Sequence, residues 1–395
     1  MSDGPLVGIR VVEHATVLMG PYVAQLLGDL GADVIKVEGD VVDASRMMGA
    51  GPHAELSGVA LNLHRNKRSI RLNLKSPDGM NVLNELIGRA DVFVTNARPR
   101  SLRALGIDYN SLSSRYPRLV YCETHGYRSD SSEADRPAFD DIIQAETGIP
   151  NIQSLVGLGI NYLPMVIADK IAGMTAAYAV AAALVGRSAT GKGGRVEVPM
   201  FDSMLSFTLV EHLSGAATPG GSSGYSRLLT PERRPYPAKD GHVALLPYSD
   251  QQWKDLYVSV GREDELEDPR FASRASRNRN SNFVYASLAR LVAERTVEEV
   301  MSLCDGLDVP AGRVPSLEQL VKDPSLNRGV VRQGSHPEIG PYRDIRPAAI
   351  FDGQIAEWPT PAPLIGANTV EVLQELGIAS VAIEGLLASG AATQR

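Results

Sequence analysis

The chain is poor in the residues that build several protein classes. Of its 395 residues only two are cysteines, Cys122 and Cys304, far apart and without a nearby partner. That excludes a disulfide framework and a cysteine-based zinc site, and fits a reducing, cytoplasmic compartment. The seven histidines are scattered and offer no metal spacing. Long hydrophobic runs are missing as well. The longest uncharged one, Ile171 to Gly186, is too short to span a bilayer. Met1 to Pro5 opens no apolar signal segment, which predicts none. Net charge is −7, which argues against nucleic acid or an anionic membrane as the main partner. A local basic pocket for a small anion stays open. Also lacking is a G-x-G-x-x-G turn: Ala15 to Pro21 contains none, and Pro21 removes an N–H that would cradle a pyrophosphate. That weighs against an NAD site, although Glu38 ends the second strand as such a site requires.

What is present describes an ordinary globular chain, 44% hydrophobic and 22% charged. Its length predicts two domains. Ser214 to Ser226 is rich in Gly, Ser and Ala and reads as a linker or mobile loop. A large domain over 1–223 and 328–395 and a smaller one over 224–327 follow.

Gly8 to Glu13 and Asp33 to Glu38 read as strands flanking a helix opened by Gly20-Pro21 and stopped by Gly31. This β-α-β unit predicts parallel neighbours. Further strands are expected at Ser69–Leu74, Asp91–Asn96, Arg118–Thr124 and Arg195–Val198. The fold class is α/β with a parallel sheet. Two basic runs stand out: His64 to Arg71 leads into a strand, and Arg98 to Arg103 leaves one. Each alone reads best as a solvated face. Together, at the kind of sheet edge where α/β proteins bind ligands, they suit a ligand with several phosphates. A final helix is expected over Thr369–Leu376, with a frayed tail from Ala388.

The stretch Met165 to Val185 holds one carboxylate, Asp169, ahead of a long run of small and apolar residues. It predicts a helix beginning near Lys170, buried nearly all round, with Asp169 as its N-cap. Asp140 reads as the cap of an earlier helix in the same way.

Taken in order, the motifs Gly20-Pro21, Gly31-Ala32-Asp33-Val34-Ile35-Lys36-Val37-Glu38, Asn66-Lys67-Arg68-Ser69-Ile70, Asn96-Ala97-Arg98-Pro99, Gly191-Lys192-Gly193, Asp268-Pro269-Arg270-Phe271 and Pro363-Leu364-Ile365-Gly366 run the length of the chain. So arranged, they resemble the family III CoA-transferases, which include formyl-CoA transferase, carnitine CoA-transferase and α-methylacyl-CoA racemase. The resemblance implies a Rossmann-like large domain built from both chain ends, a smaller α+β middle domain, and a homodimer interlocked like links of a chain. It implies coenzyme A and acyl-CoA as substrates beside a small carboxylic acid, with no permanently bound cofactor and no metal. Asp169 matches the family's nucleophile. Lys75, Asn96 and Arg98 match contacts to the nucleotide end of CoA, with Lys36 and Arg103 as further candidates.

Three positions depart from the family. Gly39 replaces an Arg that usually follows the Val-Glu of the second strand. Leu18 stands where formyl-CoA transferase contacts its substrate with Gln, which argues for a less polar acyl or acceptor group. Phe139 stands where the racemases carry a His beside an Asp, here Asp140, and phenylalanine cannot move a proton. With Phe139, Asp140 and Leu18 lining the substrate, CoA transfer is expected ahead of racemisation. A non-catalytic CoA-binding role is the third reading. Asp169 is expected to carry an ordinary, ionised carboxylate.

Overall fold

The computed structural model describes residues 4–355 and 360–395. The chain runs β1 (Arg10–His14), α1 (Met19–Gly28), β2 (Asp33–Glu38), α2 (Gly58–Leu63), β3 (Lys67–Leu72), α3 (Pro77–Gly88), β4 (Val92–Thr95), α4 (Pro99–Leu105), α5 (Tyr109–Ser113), β5 (Val120–His125), α6 (Asp140–Glu146), α7 (Ile149–Leu155), α8 (Ile167–Thr190), β6 (Gly194–Pro199) and α9 (Met200–His212). Then come β7 (Tyr236–Pro237), β8 (His242–Leu245), α10 (Asp250–Ser259), α11 (Arg274–Arg279), α12 (Ser281–Ala293), α13 (Val297–Gly306), β9 (Ala311–Arg313), α14 (Leu317–Lys322) and α15 (Pro324–Asn327). The end is β10 (Val331–His336), β11 (Gly340–Ile345), β12 (Ile350–Phe351), β13 (Gln354–Ile355), α16 (Thr369–Glu375), α17 (Ser380–Ala388) and β14 (Ala392–Thr393).

The chain divides into two compact units. One holds residues 1–147, 164–207 and 328–395, the other 148–163 and 208–327. The first is built on a seven-stranded sheet of order β14-β3-β2-β1-β4-β5-β6. Its strands are parallel except β14, which pairs antiparallel with β3 through Ala392 and Leu72. The expected frayed tail is therefore ordered: α17 ends at Ala388, and Ala392–Thr393 adds an edge strand, with Ala391 and Ala392 buried.

The two faces of this sheet differ in chemistry. On one, Val12, Ile35, Ile70, Leu72, Phe93 and Tyr121 pack with Leu83, Leu86 and Ile87 of α3, Leu102 of α4 and Leu373 of α16. This is an apolar core, and a Leu83→Ala change there is in the class that costs about 2–5 kcal/mol. On the other face the register sets Glu13 beside Lys36 and Lys36 beside Ser69. The same face carries Lys67, Glu38 and, from the loops above, Asp43 and Arg46, all buried. Charges so buried must be paired, and they are. Lys36 and Lys67 share Glu13, while Arg46 forks onto Glu38 at 2.6 and 2.7 Å.

Helix α8 crosses β5 and β6 and lies along α1. It is 24 residues long, and among the described residues it is the one helix long and apolar enough to cross a membrane. It is buried on one face rather than nearly all round. Ala172, Gly173, Ala176 and Val180 face inward, while Met174, Tyr178 and Val185 are exposed. Gly173 permits the close approach of α1, since a Cβ there would lie 2.9 Å from the Tyr22 ring. The second unit has a three-stranded antiparallel sheet, β7-β8-β9, and a core around Trp253, Tyr257, Phe271 and Leu288. The Gly/Ser-rich stretch belongs to that unit and is tied by backbone bonds, Ala216 N–H to Ser222 O and Gly224 N–H to His212 O.

Candidate active site

The first turn of α8 positions the candidate nucleophile. The helix begins at Ile167, so Asp169 is its third residue and not its cap. The cap comes from elsewhere in the sequence. Asp140, the first residue of α6, accepts the N–H of Ala168 at 2.6 Å and that of Asp169 at 3.3 Å on Oδ1. Its Oδ2 accepts from the Gln144 amide at 2.6 Å. With its capping duty taken over, the Asp169 carboxyl is free to face α1. Its Oδ1 accepts the N–H of Met19, the first residue of that helix, at 3.1 Å.

Asp169 is 7% exposed. Burial, and then the nearby Asp140 carboxylate, push its pKa up to about 7, against a smaller pull from the Met19 N–H. The expected ordinary carboxylate is therefore corrected: burial and Asp140 shift Asp169 toward its protonated form. A carboxylate of raised pKa is also the more nucleophilic when it does ionise.

Residues 15–18 form the loop that delivers Met19. Val17 has φ +66°, a conformation a β-branched residue adopts only under constraint, at a cost of about 1–3 kcal/mol. Three side chains hold it there. Lys36 Nζ donates to Ala15 O at 2.8 Å, Asn96 exchanges two hydrogen bonds with Thr16, and Asp43 Oδ1 accepts the Val17 N–H at 2.8 Å. Lys36 also binds Glu13 and Asp43, so its three ammonium protons are all committed and none remains for a phosphate.

Beyond the strand ends a cleft of about 290 Å³ is lined by His14, Thr16, Gly39, Asn73, Lys75, Asn96 and Ala97, among others. Lys75 is exposed at its rim. His14 stacks on Phe93, and burial together with Lys36 pulls its pKa down to about 4, so it offers a neutral ring. Arg98 and Arg103 are exposed on α4 and its cap position and do not line this cleft; Arg103 lies 3.7 Å from Asp135. The first basic run is largely internal instead of facing a ligand. Arg65 binds Asp29, Lys67 binds Glu13, and Arg68 binds Asp33 and Glu375. Glu38, which ends β2, is held by Arg46 and by the Ser69 hydroxyl.

The structure thus brings Leu18, Asp140 and Asp169 together, and separately Lys75 and Asn96. Phe139 precedes α6 and is 63% exposed. Asp43 was not anticipated. It caps a short turn over Ala44–Met47, and the one available signal was an acidic residue a few positions after a buried-strand lysine. Among the described residues no cluster of His, Cys, Asp and Glu could hold a metal ion.

A sequence model of CoA-transferase family III matches residues 6–369. An acyl-CoA transferase of Fusarium pseudograminearum is 30% identical, with 97% of this chain and 87% of the relative covered. The human succinyl-CoA:glutarate CoA-transferase is 28% identical, over 99% of this chain and 90% of its own. Among solved structures, a CaiB/BaiF family protein from Brucella suis superposes with a TM-score of 0.79 at 26% identity, covering 94% of this chain and 99% of that one.

Proposed function

The chain belongs to CoA-transferase family III, and from that premise we propose that it moves CoA from an acyl-CoA donor to a carboxylic acid through a covalent intermediate on Asp169. The observation that carries this reading is the environment of Asp169: a buried carboxyl with a raised pKa, relieved of capping by Asp140 and aimed at the start of α1.

The steps balance without any redox partner. The Asp169 carboxylate attacks the thioester carbonyl, which gives a mixed anhydride and CoA thiolate. The thiolate attacks the aspartyl carbonyl, which releases the donor acid and leaves an aspartyl-CoA thioester. The acceptor carboxylate attacks that thioester, forming a second mixed anhydride and releasing thiolate again. The thiolate then takes the acceptor's acyl group and restores Asp169. Burial of the site supports this route, because water would hydrolyse each intermediate. The Met19 N–H supports it as a donor to oxygen developing charge.

The cleft beside Lys75 and Asn96 is the proposed seat of the nucleotide end of CoA, Arg98 and Arg103 adding positive charge outside it. Leu18 and Phe139 give the acyl side an apolar lining, which favours a donor or acceptor with apolar carbon next to its carboxyl group. Racemisation is the weaker reading. Phe139 carries no proton, and both oxygens of Asp140 are engaged. The exposed row Met174, Tyr178 and Val185 on α8 supports the interlocked homodimer, and two buried free cysteines support a cytoplasmic setting.

The test is direct. The protein is incubated with a panel of acyl-CoAs and digested, and the peptide containing Asp169 is weighed. A CoA adduct discharged by one acid of a panel is expected. Deuterium entering the α-carbon with no acceptor present, and no adduct from any thioester, would sink the proposal in favour of the racemase.

A further inference from the structure

Two sets of side-chain bonds meet around one short loop. Its backbone is gripped residue by residue: Ala15 O by Lys36, Thr16 N–H and O by Asn96, Val17 N–H by Asp43. Immediately after it comes Met19, whose N–H is on Asp169. On the far side of Met19 the carbonyl of Pro21 is gripped too, by Lys67 Nζ at 2.8 Å. Lys67 and Lys36 are joined through the two oxygens of Glu13, each at 2.8 Å. So a chain of hydrogen bonds and ion pairs runs from Val17 through Asp43, Lys36, Glu13 and Lys67 to Pro21, with Met19 between its ends.

Asp43 is the member that faces both ways. Its Oδ2 takes the Lys36 ammonium at 2.9 Å, and its Oδ1 takes Val17 N–H and Ser45 N–H. It is buried. Burial alone would raise its pKa, but the Lys36 ammonium outweighs that and holds it below the usual carboxylate range. A loop in an unfavourable conformation persists only where its surroundings over-determine it. Here the side chains that grip the loop are charged or polar: Lys36, Asp43 and Asn96.

We propose that Asp43, seated on Lys36, is a positioning residue for the transfer reaction: it pins Val17 in its left-handed conformation and so fixes the Met19 N–H against the Asp169 carboxyl. The proposal rests on the reading of Asp169 as nucleophile. It assigns Asp43 and Lys36 no contact with the reacting atoms, although both line the edge of the cleft proposed for CoA.

The test compares Asp43→Ala with Asp43→Asn, which keeps an acceptor oxygen for Val17 but drops the charge on Lys36. Two measurements are made on each: amide hydrogen exchange at Val17 and Met19, and adduct formation on Asp169 at increasing acyl-CoA. For Asp43→Ala the expected result is faster exchange at both amides and a maximal adduct rate lower by about 10- to 100-fold, the usual effect of a misplaced site. The half-saturating acyl-CoA concentration is expected to stay within about threefold, because the proposal gives Asp43 no direct contact with CoA. Asp43→Asn should fall between Asp43→Ala and the parent, and it carries the test alone if Asp43→Ala does not fold. Unchanged exchange, or faster exchange with an unchanged maximal rate, would overturn the proposal. A raised half-saturation at unchanged maximal rate would overturn it too, and make Asp43 a CoA contact. A parent chain that forms no adduct would remove the aspartyl mechanism itself, and the exchange rates would still decide whether Asp43 holds Met19.

Discussion

Asp140 Oδ1 accepts the backbone N–H of Asp169 while its charge works against ionisation of the Asp169 side chain. One carboxylate therefore does two things to its neighbour: it fixes the backbone and keeps the acid weak. The two effects are separable. Asp140→Asn keeps an acceptor for the helix and removes the charge. The rising limb of kcat/KM against pH, expected near pH 7 in the parent, should move to lower pH in this variant. Asp140→Ala should also lose the cap, at about 1 kcal/mol of stability. A pH–rate profile of both variants checks this, and an unmoved limb in Asp140→Asn would count against the electrostatic coupling.

The same raised pKa has a consequence for stability. Below about pH 4 Asp169 is protonated whether the chain is folded or not. Between there and pH 7 the unfolded chain gives up the proton while the folded one keeps it, so stability falls as pH rises. Above pH 7 the loss is complete, at most about 4 kcal/mol at 1.36 kcal/mol per unit. Asp169→Asn should therefore be more stable than the parent at pH 8, with the difference vanishing toward pH 4. Urea unfolding at the two pH values measures it.

Gly39 leaves room at the cleft. A Cβ there meets nothing nearer than Leu72 O at 4.0 Å, and the residue lines the proposed CoA seat. Gly39→Arg should fold normally and lower KM for acyl-CoA by about 3- to 10-fold, roughly 0.6–1.4 kcal/mol, with kcat unchanged. Steady-state kinetics at low salt decide it, and an unchanged KM would place the phosphates elsewhere.

Arg46 and Glu38 form a buried fork, with Arg46 also donating to Pro363 O at 2.7 Å. Arg46→Met alone should cost about 3–5 kcal/mol, because it strands the carboxylate; adding Glu38→Gln should recover part of that. Denaturant midpoints of both single variants and the double variant form the cycle.

Much of the frame was legible in sequence because it is local. The β1-α1-β2 unit shows in short Val- and Ile-rich runs and in Gly20-Pro21 and Gly31. The family resemblance, which rests on ordered motifs, reached Asp169. What stayed hidden depends on residues meeting across the fold. Asp169 looks like a cap because it precedes an apolar run, and only the tertiary position of Asp140, 28 residues before Ala168, reassigns that duty. Lys36 and Lys67 look like phosphate ligands until strand register sets Lys36 against Glu13 and the Lys67 side chain reaches the same carboxylate. The tail looks frayed because Ala391 to Arg395 has little apolar pattern, yet β3 offered an unpaired edge for Ala392.

The unequal faces of the large sheet bear on how this molecule can change over generations. Beneath α3 a side chain can be traded for another of similar bulk, one position at a time, with small losses. Among the charges beneath α1, Glu13, Lys36, Lys67, Glu38 and Arg46 answer one another, and a lone replacement leaves its counterpart stranded. Variation among those charges has to arrive as matched exchanges or not at all. The charges that hold the loop before Met19, next to Asp169, are thus locked by mutual need.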